Sequence, residues 1–383
     1  MDINRIKRIA KKYGSPKYIY DTGIVRNQYK KLLKAITYPH TSIHYAMKAN
    51  SNREILNLLK QLGSKIEAVS LNEIDRAIKS GFKTDDIRFT CSNIDLKELT
   101  QIIRKNIHIN IDSLGQLEKY GKIKKGGKIS IRINQGIGAG HHSHVITGGA
   151  LSKFGIELGQ INEAKRIAKK YDLTIIGIHQ HIGSNVLDSK ILLKGVEKLL
   201  KTAEKFDSLE FIDIGGGFGI PYKQSEKELD IKNFGEKVSK MFELFSKSYG
   251  REIKLIVEPG RYLIGSAGIL LIRVTDIKET SKYKYVGVNS GFNHLIRPVM
   301  YGSYHKIINL SNLNGKYEKV TIAGNICESG DIFARNRLIK KCREGDFLAI
   351  MDTGAYGYSM SSDYNLRLKP REILIEGDRT KII

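Results

Sequence analysis

The sequence predicts an α/β protein built as a (β/α)8 TIM barrel with a second, mainly β domain. Three observations carry that reading. Eight short apolar runs alternate with helical patterns over about 220 residues. Several of those runs end in reactive or anion-binding residues, which is where a barrel collects its active site. Beyond Arg261 the alternation stops, and short segments rich in β-branched residues follow, separated by turns. A doubly wound sheet shares the alternation. The strand ends favour the barrel, because glycines and an arginine follow runs seven and eight, the usual place of a barrel's anion site.

Taken in order, residues 43–47 read as the first strand, and Ile55, Leu58, Leu59 and Leu62 form one face of a helix that Gly63 closes. Residues 66–69 precede a helix near 71–80, 87–90 precede one near 96–105, and 107–111 precede a shorter one. Residues 128–133 alternate as a fifth strand, followed by a glycine-rich excursion over 136–149 and a helix near 160–171. The last three strands are 174–178, 209–214 and 253–257. In the second part, 268–275, 285–288, 319–323 and 346–351 read as strands, and 18–20 is expected to join them from the N-terminus. The expected boundaries are 26–265 for the barrel and 1–25 with 266–383 for the β domain.

Composition bounds the function. With 383 residues and 41% hydrophobic content the chain can bury a sizeable core. No apolar run is long enough to span a membrane, and the charged N-terminus lacks an apolar segment of signal-peptide type, so a soluble, cytoplasmic protein is expected. Cys91, Cys327 and Cys342 have no CxxC spacing and suit a reducing compartment. The net charge of +24 is spread over lysines on almost every helical segment, so it reads as a solvated surface and not as a nucleic-acid site. Such a field favours phosphate-bearing cofactors and acidic substrates. His141, His142 and His144 in the excursion have no acids or cysteines near them in sequence, so a mobile loop is expected there and no metal site.

The strand ends suggest a chemistry. Lys48 follows the first strand, His179, His181 and Gly183-Ser184 the sixth, Gly215-Gly216-Gly217 the seventh, and Glu258-Pro259-Gly260-Arg261 the eighth. Consecutive glycines expose backbone N–H groups to a phosphate. Together with a lysine, a histidine able to stack on a ring and a carboxylate, they describe a site for pyridoxal 5'-phosphate. Lys48 holds the aldehyde in that reading, and Glu258 keeps the pyridine nitrogen protonated.

The runs Tyr45-Ala46-Met47-Lys48-Ala49-Asn50, His181-Ile182-Gly183-Ser184, Gly215-Gly216-Gly217, Glu258-Pro259-Gly260-Arg261, Cys327-Glu328-Ser329-Gly330-Asp331 and Gly354-Ala355-Tyr356 occur in one order over nearly the whole chain. This ordered set resembles the fold-type III pyridoxal-phosphate decarboxylases. The resemblance implies that Lys48 is the cofactor lysine, that His181 stacks on the ring, and that Glu258 partners its nitrogen. Ser184, Gly216, Gly217, Gly260, Arg261 and Tyr356 then contact the cofactor. Arg261, Arg297, Tyr301, Glu328 and Tyr356 bind the substrate, implied to be meso-2,6-diaminopimelate with L-lysine as product. Cys327 is implied to be the acid, supplied by the second subunit of a homodimer. A carboxylate beside the ring nitrogen points away from racemisation. Carboxynorspermidine, ornithine or arginine is the alternative substrate on the same fold. Asn185 and His294 stand where the family more often has glutamine and aspartate.

Overall fold

The computed structural model describes residues 1–140, 149 and 152–383; His141, His142 and His144 lie outside them. The chain divides into two compact units. One comprises Tyr29–Ile220 and Glu228–Gly260, the other Met1–Gln28, Pro221–Lys227 and Arg261–Ile383.

The first unit is a closed parallel barrel. Its strands are Thr41–Ala46, Lys65–Ala68, Ile87–Thr90, His108–Ile111, Gly127–Asn134, Leu173–His179, Phe211–Asp213 and Lys254–Val257. Each pairs in parallel with the next, and Leu255 opposite Thr41 closes the ring. Six of the helices between them begin at side-chain caps that the sequence supplies: Asn52, Ser70, Asp95, Ser113, Asp188 and Asp230 each accept a backbone N–H of their own first turn, whereas Ile161–Lys170 has no such cap. Removing one such cap costs about 1 kcal/mol.

Polar and aromatic side chains fill part of the barrel interior. A Cβ on Gly177 would lie 2.2 Å from Phe211 Cζ, so the glycine makes room for the ring. The Arg88 guanidinium stacks 3.8 Å above that ring, and the His108 ring meets it edge-on at 5.4 Å. Burial pulls Arg88 down to about 10, while Asp213, Glu258 and Glu210 act to keep it charged. A cation in the barrel floor therefore stabilises the acids at the strand ends.

The second unit is built on a nine-stranded mixed sheet. Its centre is Gly268–Glu279, flanked by the N-terminal strand Lys17–Asp21, which also pairs in parallel with Arg371–Glu376. The helix Ile3–Tyr13 covers one face. Ile6, Ile9 and Ala10 share one side of it at helical spacing and pack with Ile19, Ile269, Leu271, Leu310, Ala349, Ile373 and Ile375. Pro221–Lys227 falls between the seventh and eighth barrel strands in sequence yet belongs to this unit. The helix after the glycine run, Ile231–Tyr249, starts only after that segment.

Candidate active site

In the barrel, Lys48 sits on a single 3-10 turn, Met47–Ala49, directly after the first strand. Its Nζ donates to Glu67 Oε2 at 2.8 Å. Glu67 is buried on the second strand, so this ion pair holds the lysine at the strand ends. The eighth strand delivers Glu258, and His179 Nε2 lies 3.2 Å from its Oε2. Burial keeps His179 neutral, down at about 4. Among the described residues its Nδ1 has no partner, which places its single proton on Nε2, toward Glu258.

Burial pushes Glu258 up to about 8, with the charge of Glu67 adding to the shift and Lys48 opposing it. Asp213 is raised as well, by burial and then by the charge of Glu258. Ligand atoms of His179, Asp213 and Glu258 all lie within 4.8 Å of one another. Burial of two carboxyls so close favours their protonated forms, and the nearby cations Arg88, Arg132 and Lys48 oppose that.

The glycine run is interleaved with the loop after strand six. Val186 N donates to the Gly217 carbonyl at 2.9 Å, Gly219 N to the Val186 carbonyl at 3.1 Å, and Ile220 N to Asn185 Oδ1 at 2.9 Å. Asn185 has φ +57°, a conformation that asparagine tolerates better than glutamine. Gly216 N donates to His181 Nδ1 at 3.2 Å, so the His181 proton sits on Nε2. Burial and the nearby Lys48 charge hold this histidine well below its usual range. A Cβ on Gly216 would lie 2.2 Å from the Glu258 carbonyl oxygen and 3.5 Å from His181 Cε1, so only glycine fits between the two. Ser184 lies beside these residues, on the short strand Gly183–Ser184.

The second unit gathers a different set. Arg261 opens the helix Arg261–Ile264, and Arg297 opens Arg297–Tyr301, where Pro298 starts the turn and Gly302 at φ +58° ends it. Arg261 Nη1 and Arg297 Nη1 both donate to Tyr222 Oη, at 2.7 and 2.9 Å. The Arg261 guanidinium also lies 4.9 Å over the ring of Tyr356, which has φ +56°. Arg297 is 1% exposed, and among the described residues no carboxylate pairs with it. His305 instead accepts from Arg297 Nη1 at 3.0 Å and donates Nδ1–H to the Met351 carbonyl at 2.8 Å. That tautomer requires a neutral ring, and burial with the Arg297 charge holds His305 at about 3.

Cys327 and Glu328 stand apart from that cluster. Both are exposed, on a loop held by Asp331, whose carboxylate accepts Ile326 N and Phe292 N at 2.7 Å each. Cys327 N donates to Asn365 Oδ1 and Glu328 Oε1 accepts Tyr364 Oη–H.

Reading from sequence alone misses Glu67, Asp213, Tyr222 and His305. Glu67 and Asp213 are single acids inside short apolar strands, and that placement was their only signal. His179 was visible at its strand end but carried no assigned role.

The fold and the barrel residues define a class. A family model described as "Pyridoxal-dependent decarboxylase, pyridoxal binding domain" matches residues 22–265, and the chain belongs to that family. It is 42% identical to the diaminopimelate decarboxylase of Methanothermobacter thermautotrophicus, over 98% of this chain and 90% of that one. It is 34% identical to that of Escherichia coli K12, over 98% and 92%. The crystal structure of diaminopimelate decarboxylase from Helicobacter pylori complexed with L-lysine superposes with a TM-score of 0.91 at 31% identity, over 98% of this chain and 95% of that one.

The cofactor of this family is pyridoxal phosphate, and the barrel residues fit it. Glu258 Oε1 is buried with no partner among the described residues, which suits a protonated ring nitrogen. The N–H groups of Gly217 and Gly260 donate to no described residue, which suits phosphate oxygens. His181 is neutral, as a stacking ring beside Lys48 needs to be.

Proposed function

We propose that the protein decarboxylates meso-2,6-diaminopimelate to L-lysine, the last step of lysine biosynthesis. The observation that carries this substrate is the Arg261 and Arg297 pair, two buried guanidiniums gathered on one neutral oxygen. Such a site calls for an anion. Diaminopimelate brings a second carboxylate at its distal end, whereas ornithine and arginine bring a cation that the pair repels.

Lys48 Nζ holds and releases the cofactor aldehyde, with Glu67 orienting it. His181 stacks on the ring, and Glu258, backed by His179 and Asp213, faces the ring nitrogen. Ser184, Gly216, Gly217, Gly260, Arg261 and Tyr356 hold the remainder of the cofactor. When bound, the protonated ring of the cofactor accepts the electron pair that departing CO2 leaves behind. Arg261, Arg297, Tyr301, Glu328 and Tyr356 seat the substrate, and Cys327 delivers a proton to the α carbon.

Cys327 comes from the partner in a homodimer on this reading. Its exposure supports that, as does the nearby surface at Leu366 and Leu368, 90% and 88% exposed, which a second copy covers. The barrel domain runs over 26–265 and the β domain over 1–25 with 266–383. The three free cysteines support work in the cytoplasm, and the dispersed charge supports a small-molecule partner over nucleic acid.

The test is a CO2-release assay on the holoenzyme with meso-diaminopimelate against carboxynorspermidine, ornithine and arginine. Diaminopimelate is expected to win by kcat/KM. Faster turnover of any of the other three overturns the substrate.

A further inference from the structure

We infer that Tyr222 is a specificity-determining residue that donates a third hydrogen bond to the distal carboxylate of the substrate, beside Arg261 and Arg297. The inference rests on the diaminopimelate reading and adds to it a residue that carries no charge.

Tyr222 is placed with care. Its own N–H and that of Lys223 donate to Glu226 Oε2 at 2.7 and 3.2 Å, which turns Pro221–Lys227 back on itself. The ring stands edge-on to His305 with centroids 5.2 Å apart, and the Arg297 guanidinium lies 4.7 Å over it. Position and tilt are therefore set by packing on two sides.

Its oxygen accepts both guanidiniums. Two like charges repel, and a neutral oxygen that each can donate to offsets part of that repulsion. A phenol oxygen has only two acceptor positions and one hydrogen. With both cations on the acceptor side, the O–H is directed away from them, and no described residue accepts it. Donation from two cations also polarises the O–H and makes it a stronger donor. The arginines and the phenol thus offer N–H and O–H donors from one small cluster, and a carboxylate has about four lone-pair sites to receive them. His305 sets the reach of Arg297 from the other side by accepting at Nε2 while anchored to the Met351 carbonyl.

L-Lysine and cadaverine test this directly, because they differ only by the distal carboxylate. Their binding to the holoenzyme is followed by the change in the visible cofactor band, in wild type and in Tyr222→Phe, with cofactor content and melting temperature as controls. Tyr222→Phe is expected to weaken L-lysine and raise KM for diaminopimelate by roughly 10- to 100-fold, with cadaverine changed by less than about 2-fold and kcat within about 3-fold. Unchanged lysine binding, or equal loss for lysine and cadaverine, overturns the role. If the variant does not fold, a crystal structure of the wild type with L-lysine decides. Tyr222 Oη is expected at about 3 Å from a carboxylate oxygen, and a separation beyond about 4 Å overturns the inference. A wild type that does not turn over diaminopimelate sinks the function reading instead, a result the Tyr222 variant cannot mimic.

Discussion

The barrel and the second unit treat buried charge in opposite ways. At the barrel's strand ends cations and acids are set against each other: Lys48 on Glu67 at 2.8 Å, Arg132 on Asp112 at 3.3 Å, and a neutral His179 beside the buried acids Glu258 and Asp213. In the second unit two guanidiniums share one phenol, and the neighbouring His305 is neutral. The barrel is electrically near balance, and among the described residues Glu258 Oε1 is one of its buried acceptors that lack a partner. The second unit is left positive. On the proposed reading the first arrangement serves the cofactor and the second the anionic end of the substrate.

The largest expected effect breaks the balanced side. Lys48→Ala removes the amine proposed to hold the cofactor, so turnover should fall by roughly 10⁴-fold or more and the visible band of the lysine-bound cofactor should vanish. A variant that kept both the band and its activity would take Lys48 out of the chemistry. Glu258→Gln is milder in structure and still severe in rate. It leaves the glycine run intact but no longer offers a carboxylate to the ring nitrogen, so decarboxylation should slow by about 10²- to 10³-fold at normal cofactor content. Wild-type single-turnover rates with a normal spectrum would assign protonation of the ring to another group.

The next effect probes the positive side. Arg297→Ala should raise KM for diaminopimelate by roughly 10²-fold with kcat less affected, since the distal carboxylate is bound alike in ground and transition states. Cys327→Ala should lower kcat instead. If the cysteine crosses to its partner's site, mixing inactive Lys48→Ala and Cys327→Ala protomers should restore part of the activity, because one site in each mixed dimer has both groups. No recovery after proven subunit exchange counts against the shared site.

The smallest effect concerns stability, again on the barrel side. His108 is partly buried, with Ser130 Oγ 2.9 Å from its Nε2, and desolvation followed by the Arg88 charge lowers it to about 3. Its folded value lies below the ordinary 6.5, so between those values the unfolded chain binds a proton that the folded chain does not. Stability is therefore fully present above pH 6.5 and is lost as pH falls, by about 1.4 kcal/mol per pH unit within that window. His108→Asn should flatten the pH dependence of the urea midpoint by about one proton between pH 4 and 6. An unchanged slope would mean that His108 already protonates in the folded barrel.

The eight barrel strands were legible because parallel strands buried on both faces leave short apolar runs, and because Lys48, His181, the glycines and Glu258 follow them at once in the chain. The paired acids were not. Glu67 and Asp213 each interrupt an apolar run by one residue, and nothing local says whether such an acid points into the barrel or out to water. Tyr222 was hidden for another reason. It lies only three residues beyond Gly219 in the chain, yet its segment folds with Arg261 and Arg297 and not with the barrel.

By itself the sequence determined the order of strands and helices, the helix caps, and the residues able to form or break bonds, because periodicity, capping and side-chain chemistry are local properties. Only the tertiary structure decided that the strands close into a ring, that Lys48 rests on Glu67, and that two arginines 36 residues apart in the chain meet on one phenol oxygen. The physical reason is that charge pairing falls off over a few ångströms of space, and distance along the chain carries no record of which side chains folding brings that close.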